Sequence, residues 1–228
     1  MEGPSLGGML RCLRSIDDAA WGRYAFSLDM LRNRVPLSRQ DEMTGKAIAC
    51  GDEWARKMIT RTGASDPDSM LKALGLILVE NDAPMTSNRP LFAQFVPDRR
   101  VEIMGQPIAL YSSLYQKEKE GADASLFPTP QEVRALLLAH EIFHFVEECN
   151  VKEIYSRTET IRLWEFLFIK WDSTVRAVGE IAAMSFAKVL TGAAYSPFIL
   201  DVMLLFGYDP KMAESVFQRI MDISRGLS

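Results

Sequence analysis

Apolar positions recur along this chain first at helical spacing. Met43, Ala47, Cys50, Trp54 and Met58 fall at three- and four-residue steps, so the stretch from Ser38 reads as an amphipathic helix that Gly63 ends. Upstream, residues 1–9 are rich in Gly, Pro and Ser and read as loose chain. Residues 13–33 read as one helix opened by Ser15, with Asp17 and Asp18 in its first turn. Asp66-Pro67 opens a short helix, and the compact apolar run at 76–80 suits a buried strand. Residues 91–96 alternate as a second strand. Residues 100–104 and 107–110 flank Gly105-Gln106, a two-residue Gly-X turn that predicts a hairpin. A small, mostly antiparallel sheet is therefore expected before residue 112.

The second half is dominated by helices. Thr129-Pro130-Gln131-Glu132 is a capping box with Pro at the first helical position, and it starts a helix running to about Glu148. Residues 160–170 alternate partly and read as a strand, with a buried helical turn as the alternative. Residues 175–190 are apolar almost all round and stop at Gly192, while Ser196-Pro197 and Asp209-Pro210 each open a short helix. Internal repeats and sustained heptads are missing from the pattern. The reading is an α+β fold, its small sheet backed by the helix from 130 and the helix over 175–190. Residues 1–38 form an N-terminal helical extension whose role the pattern does not give. Residues 39–228 form one domain that includes C-terminal helices over 196–225.

Composition narrows the classes. With 228 residues, 48% hydrophobic and 25% charged, the chain is long enough for a sizeable core and resembles neither a disulfide miniprotein nor a disordered tract. A formal net charge of −4 provides no positive field for nucleic acid or an anionic membrane surface, so neither is an expected partner. Cys12, Cys50 and Cys149 are odd in number and widely spaced, which fits reduced thiols. The start lacks a signal-peptide pattern, and no run approaches the ~20 apolar residues of a membrane span. A cytoplasmic protein is expected.

The chemistry lies in His140-Glu141-Ile142-Phe143-His144. This HExxH spacing puts two imidazoles one turn apart on one helix face, where they can share a tetrahedral Zn²⁺. Glu141 stands beside that face, placed to take a proton from a zinc-activated water. Both histidines of the chain fall in this motif. A third protein ligand must then be an acid or a cysteine. Glu147 and Glu148 rise roughly 10–12 Å beyond His140 on a straight helix and read as a solvated helix end. Glu165, Asp172 and Cys149 remain candidates. Glu180 is the better one, a lone carboxylate in an otherwise apolar helix with small Ala183 and Ala187 on its face. The competing reading pairs Glu180 with Arg176 at a helix start.

The order of helix, small sheet, HExxH helix and then a helix with Glu180, Ala183, Phe186 and Ala187 in a Glu-x-x-Ala-x-x-Phe-Ala pattern resembles the ImmA/IrrE-type zinc metallopeptidases, a compact gluzincin-like group. The likeness covers roughly residues 40–190. It implies a zincin-like fold, zinc held by His140, His144 and Glu180, and Glu141 as general base. It also implies a protein or peptide substrate, since better-known members act on regulatory proteins. Phe143, in place of a small residue before the second histidine, departs from that pattern, as does Val189-Leu190-Thr191-Gly192 at the end of the second helix.

Two functions follow as expectations. One is a zinc-dependent metallopeptidase, with a donor from Tyr155, Tyr195, Tyr208, an Arg or backbone N–H groups steadying the oxyanion. The other is a catalytically silent zinc-binding regulator or scaffold that keeps the fold. A di-iron bundle is disfavoured because no further histidine exists for a second Glu-x-x-His.

Overall fold

Short polar side chains open five of the ten α-helices among the described residues. In the computed structural model, residues 4–82, 91–121, 123–166 and 169–227 are described, side chains excepted over 165–170. Ser5 accepts from the Gly8 N–H to start α1 (Leu6–Leu13), and Asp17 accepts from the Ala20 N–H to start α2 (Asp18–Ser27). The single helix expected over 13–33 is confined to α2, and Leu13 is instead the last residue of α1. Ser15 lies between them, its hydroxyl donating to the Cys12 carbonyl rather than capping a helix. Residues 6–9, expected as loose chain, are helical, while residues 1–3 lie outside the described residues. Leu6, Met9, Leu10 and Leu13 form one buried stripe at steps of three, one and three, which outweighs the adjacent glycines.

α3 (Leu37–Thr62) follows the expected period and ends at Gly63, whose φ of 68° is the left-handed conformation that a helix C-terminus uses. α4 (Pro67–Ala73) is capped by Asp66 with Pro67 in its first turn. β1 (Ile77–Asn81), β2 (Ala93–Val96) and β3 (Arg100–Met104) form a sheet ordered β1-β3-β2, with β1 parallel and β2 antiparallel to β3. The sheet expected to be mostly antiparallel is therefore mixed, and β1, expected as a buried strand, is exposed or half-buried along its length. The tight turn of this sheet lies at residues 97–99, where Asp98 and Arg99 take positive φ. The hairpin expected around Gly105-Gln106 is absent, because α5 (Gly105–Glu118) begins there. Pro107 suits a first helical turn, and Ile108, Tyr111, Leu114 and Tyr115 recur at helical steps against the core.

α6 (Pro130–Cys149) carries the complete capping box between Thr129 and Glu132. After it come α7 (Tyr155–Thr158) and an antiparallel hairpin of β4 (Thr160–Phe166) and β5 (Ile169–Thr174). The one strand expected over 160–170 is therefore part of a two-stranded unit, with residues 167 and 168 outside the described residues. α8 (Arg176–Thr191) ends at Gly192, and α9 (Ile199–Tyr208) and α10 (Pro210–Ser224) close the chain.

α8 is the central element, packed on both α3 and α6. Gly51 permits the first contact, since a Cβ there would collide with the Ala182 carbonyl oxygen and sit 2.8 Å from Ser185 Cβ. Phe143 and Phe186 seal the second, fully buried with ring centroids 5.5 Å apart. Burying such a side chain contributes roughly 1.5–3 kcal/mol, so this pair helps set how closely α6 and α8 approach. On its other side α6 backs the three-stranded sheet, where Phe95 of β2 meets Phe145 edge to face at 5.8 Å. Residues of α1 and α2 belong to the same hydrophobic cluster, and α2 packs on α3, α8 and α10. The fold is mixed α+β, mainly helical, with sheets of two and three strands. Among the described residues no helix is long and apolar enough to cross a membrane.

Candidate metal centre

α6 presents His140 and His144 one turn apart, and α8 brings Glu180 to the same point. The Nε2 atoms of His140 and His144 are 3.0 Å apart, and Glu180 Oε2 lies 3.3 Å from His140 Nε2. One ligand atom from each of the three lies within 4.8 Å of the others. Ligands about 2.0–2.1 Å from a tetrahedral ion are separated by about 3.3 Å along each edge. The two closest separations have nearly this length. Two imidazole nitrogens and one carboxylate oxygen also leave a fourth position open, which is the donor set of catalytic rather than structural zinc. The residues therefore fit such an ion.

Both sequence readings of Glu180 are realised at once. Its Oε1 accepts from Arg176 Nε at 3.1 Å, which leaves Oε2 for the histidine side. Burial would raise the Glu180 pKa, but the hydrogen bond and charge of His140, with His144 and Arg176 beyond, hold it far below the usual carboxylate range. Burial likewise opposes protonation of His140, and the Glu180 hydrogen bond with the charge of Glu141 reverses that, so its pKa is raised. In the metal-free chain, His140 and Glu180 already stabilise each other's charged forms.

Glu141 is buried, and its Oε2 accepts a hydrogen bond from the Phe95 N–H at 2.6 Å. β2, which carries Phe95, is an edge strand of its sheet. The carboxylate beside the histidines is thereby tied to the strand that borders the site. All four residues line a cavity of about 840 Å³. Tyr24 of α2 and Asp201 of α9 line it as well, joined by a hydrogen bond from the tyrosine hydroxyl at 2.8 Å.

The other expected candidates lie apart from this point. Asp172 is exposed on β5 and paired with Arg162, and Cys149 is exposed at the end of α6. The side chain of Glu165 lies outside the described residues. Tyr155, Tyr195 and Tyr208 are not among the residues lining the cavity, whereas Tyr24 is.

Compared with models of protein families, curated proteins and solved structures, the chain matches none.

One expectation needs correction. Glu148 is exposed, but Glu147 is not a solvated helix end: its side chain is 5% exposed. Its Oε2 lies 3.5 Å from His144 Nδ1 and 3.0 Å from Arg157 Nη2. Burial raises the pKa of Glu147, and His144 and Arg157 pull it below its ordinary value. The signal was present in the sequence, because Glu147 follows His144 by three positions and so shares its helix face. Distance along the axis set it apart from the three residues that converge and said nothing of the other ring nitrogen. Tyr24 and Asp201 carried no comparable signal, since only tertiary packing brings α2 and α9 to the cavity.

Proposed function

We propose that this chain is a zinc-dependent metallopeptidase of the ImmA/IrrE type, acting on a protein or peptide substrate. The observation that carries the reading is the convergence of His140 Nε2, His144 Nε2 and Glu180 Oε2 at 3.0 and 3.3 Å, with Glu141 alongside. His140, His144 and Glu180 hold the ion. When bound, zinc supplies Lewis acidity, polarising a peptide carbonyl and acidifying water.

The chain's own residues do the rest. Arg176 occupies one oxygen of Glu180 and presents the other toward the histidines. Glu141 takes the proton of the attacking water on its carboxylate and returns it to the leaving amine. The Phe95 N–H fixes that carboxylate against the edge of the sheet. Tyr24, held by Asp201, is a tyrosine of the cavity lining.

The same Phe95 contact favours a second reading, a catalytically silent zinc-binding regulator, because it engages one oxygen of the base. Glu141→Gln separates the two. With zinc content near wild type, the variant is expected to lose about 10²–10⁴-fold in kcat/KM on a fluorogenic peptide pool. Equal cleavage by the variant would remove Glu141 as base. Wild type that binds zinc and cleaves no peptide would leave the regulator.

A further inference from the structure

A buried carboxylate is costly unless it is paired, and Glu147 is buried deep on the inner side of α6. Three elements converge on it. His144 stands one turn back on α6, Arg157 reaches in from α7, and Gly179 of α8 lies so near that a Cβ there would come 3.0 Å from Glu147 Oε1. An ordinary ion pair with Arg157 would need only Oε2 and a surface position. Here the carboxylate also faces the nitrogen of His144 that points away from Glu180 and His140, at 3.5 Å.

An imidazole that binds metal through Nε2 must carry its proton on Nδ1, and a carboxylate beside Nδ1 selects that tautomer, fixes the ring and makes Nε2 a better donor. The two histidines differ in this respect. His140 Nδ1 is buried with no hydrogen-bond partner among the described residues, so no polar group orients that ring from its Nδ1 side.

We infer that Glu147, buried between α6, α7 and α8, is the positioning residue for His144, holding its Nδ1–H so that Nε2 is aimed at the metal. The inference rests on the zinc reading of the site. The close passage of Gly179 gives it a further consequence: α8 delivers Glu180 to the ion and closes over the carboxylate that orients the second histidine.

The test uses the full chain loaded with Zn²⁺. Because it holds two histidines in all, both rings can be assigned by ¹⁵N–¹H NMR. In the wild type, His144 is expected to show a slowly exchanging, downfield Nδ1–H proton. Glu147→Gln should shift that signal, leave the His140 ring unchanged, and weaken zinc binding about 10–100-fold in competition with a chromogenic chelator. A variant with wild-type affinity and an unmoved His144 resonance would overturn the role of Glu147 while leaving the zinc site standing. Should the variant fail to fold, the wild-type spectrum decides alone: a His144 ring bound through Nδ1, or with a rapidly exchanging Nδ1 proton, overturns the inference. A wild type that takes up no zinc removes both readings together.

Discussion

Asp29 Oδ2 accepts a hydrogen bond from the Ala177 N–H at 2.8 Å, across 148 positions of sequence. The residue before α8 is Val175, whose side chain cannot cap, so the first turn of the helix that carries Glu180 is closed by the segment following α2. Asp29 is itself buried, with its Oδ1 accepting from the Leu31 N–H at 2.7 Å. The carboxylate also sits where an α-helix presents the positive end of its dipole.

Asp29→Ala should therefore act on the metal site from a distance. Losing a buried cap costs about 1–3 kcal/mol. Urea denaturation of the metal-free protein should show that loss, and zinc titration should show weaker binding as the start of α8 loosens. Unchanged stability and affinity would mean that α8 is held by packing alone.

Arg176 tests the other partner of Glu180. Its side chain is 75% exposed, so Arg176→Ala should change stability by less than about 1 kcal/mol, as expected for a solvent-screened pair. Zinc stoichiometry should stay at wild-type level if His140 and the ion, rather than Arg176, account for the buried carboxylate. A variant that folds normally and carries no zinc would make the Arg176 pair the organising contact.

The pH dependence has a definite sign. The pKa of His140 is raised from its ordinary 6.5, so in the metal-free chain its stabilising charge is fully present below 6.5 and is lost as pH rises through the raised value. Glu180 is depressed from 4.5, so its contribution is present above 4.5 and lost only in stronger acid. Zinc needs the neutral imidazole and competes with that proton. The difference in Tm between zinc-loaded and chelator-treated protein should widen steadily between pH 6 and 8. A difference independent of pH would place the ion on groups other than the histidines.

The clustering of the candidate site was largely legible in the sequence because its spacing is local. His140, Glu141 and His144 declare themselves by helical spacing, and Glu180 by being a charge in an apolar helix. The fold was legible where caps and period agree, as in α3, α4 and α6. It was misread at Gly105-Gln106, where a dipeptide suited to a turn outranked the helical recurrence of Ile108, Tyr111 and Tyr115. It was misread again at residues 6–9, where Gly7 and Gly8 obscured a stripe that only its buried environment makes helical. Asp29, Tyr24 and Asp201 lie far from the motif in sequence, and nothing local distinguishes them from other polar residues near them.

The central claim is that His140, His144 and Glu180 form one metal site, and elemental analysis of protein purified without added metal or chelator tests it most directly. About one zinc per chain in the wild type, lost in His144→Ala and in Glu180→Ala, is the expected result. A wild type without metal that takes none up on addition would contradict the account, and zinc retained in full by Glu180→Ala would contradict the place of α8 in it.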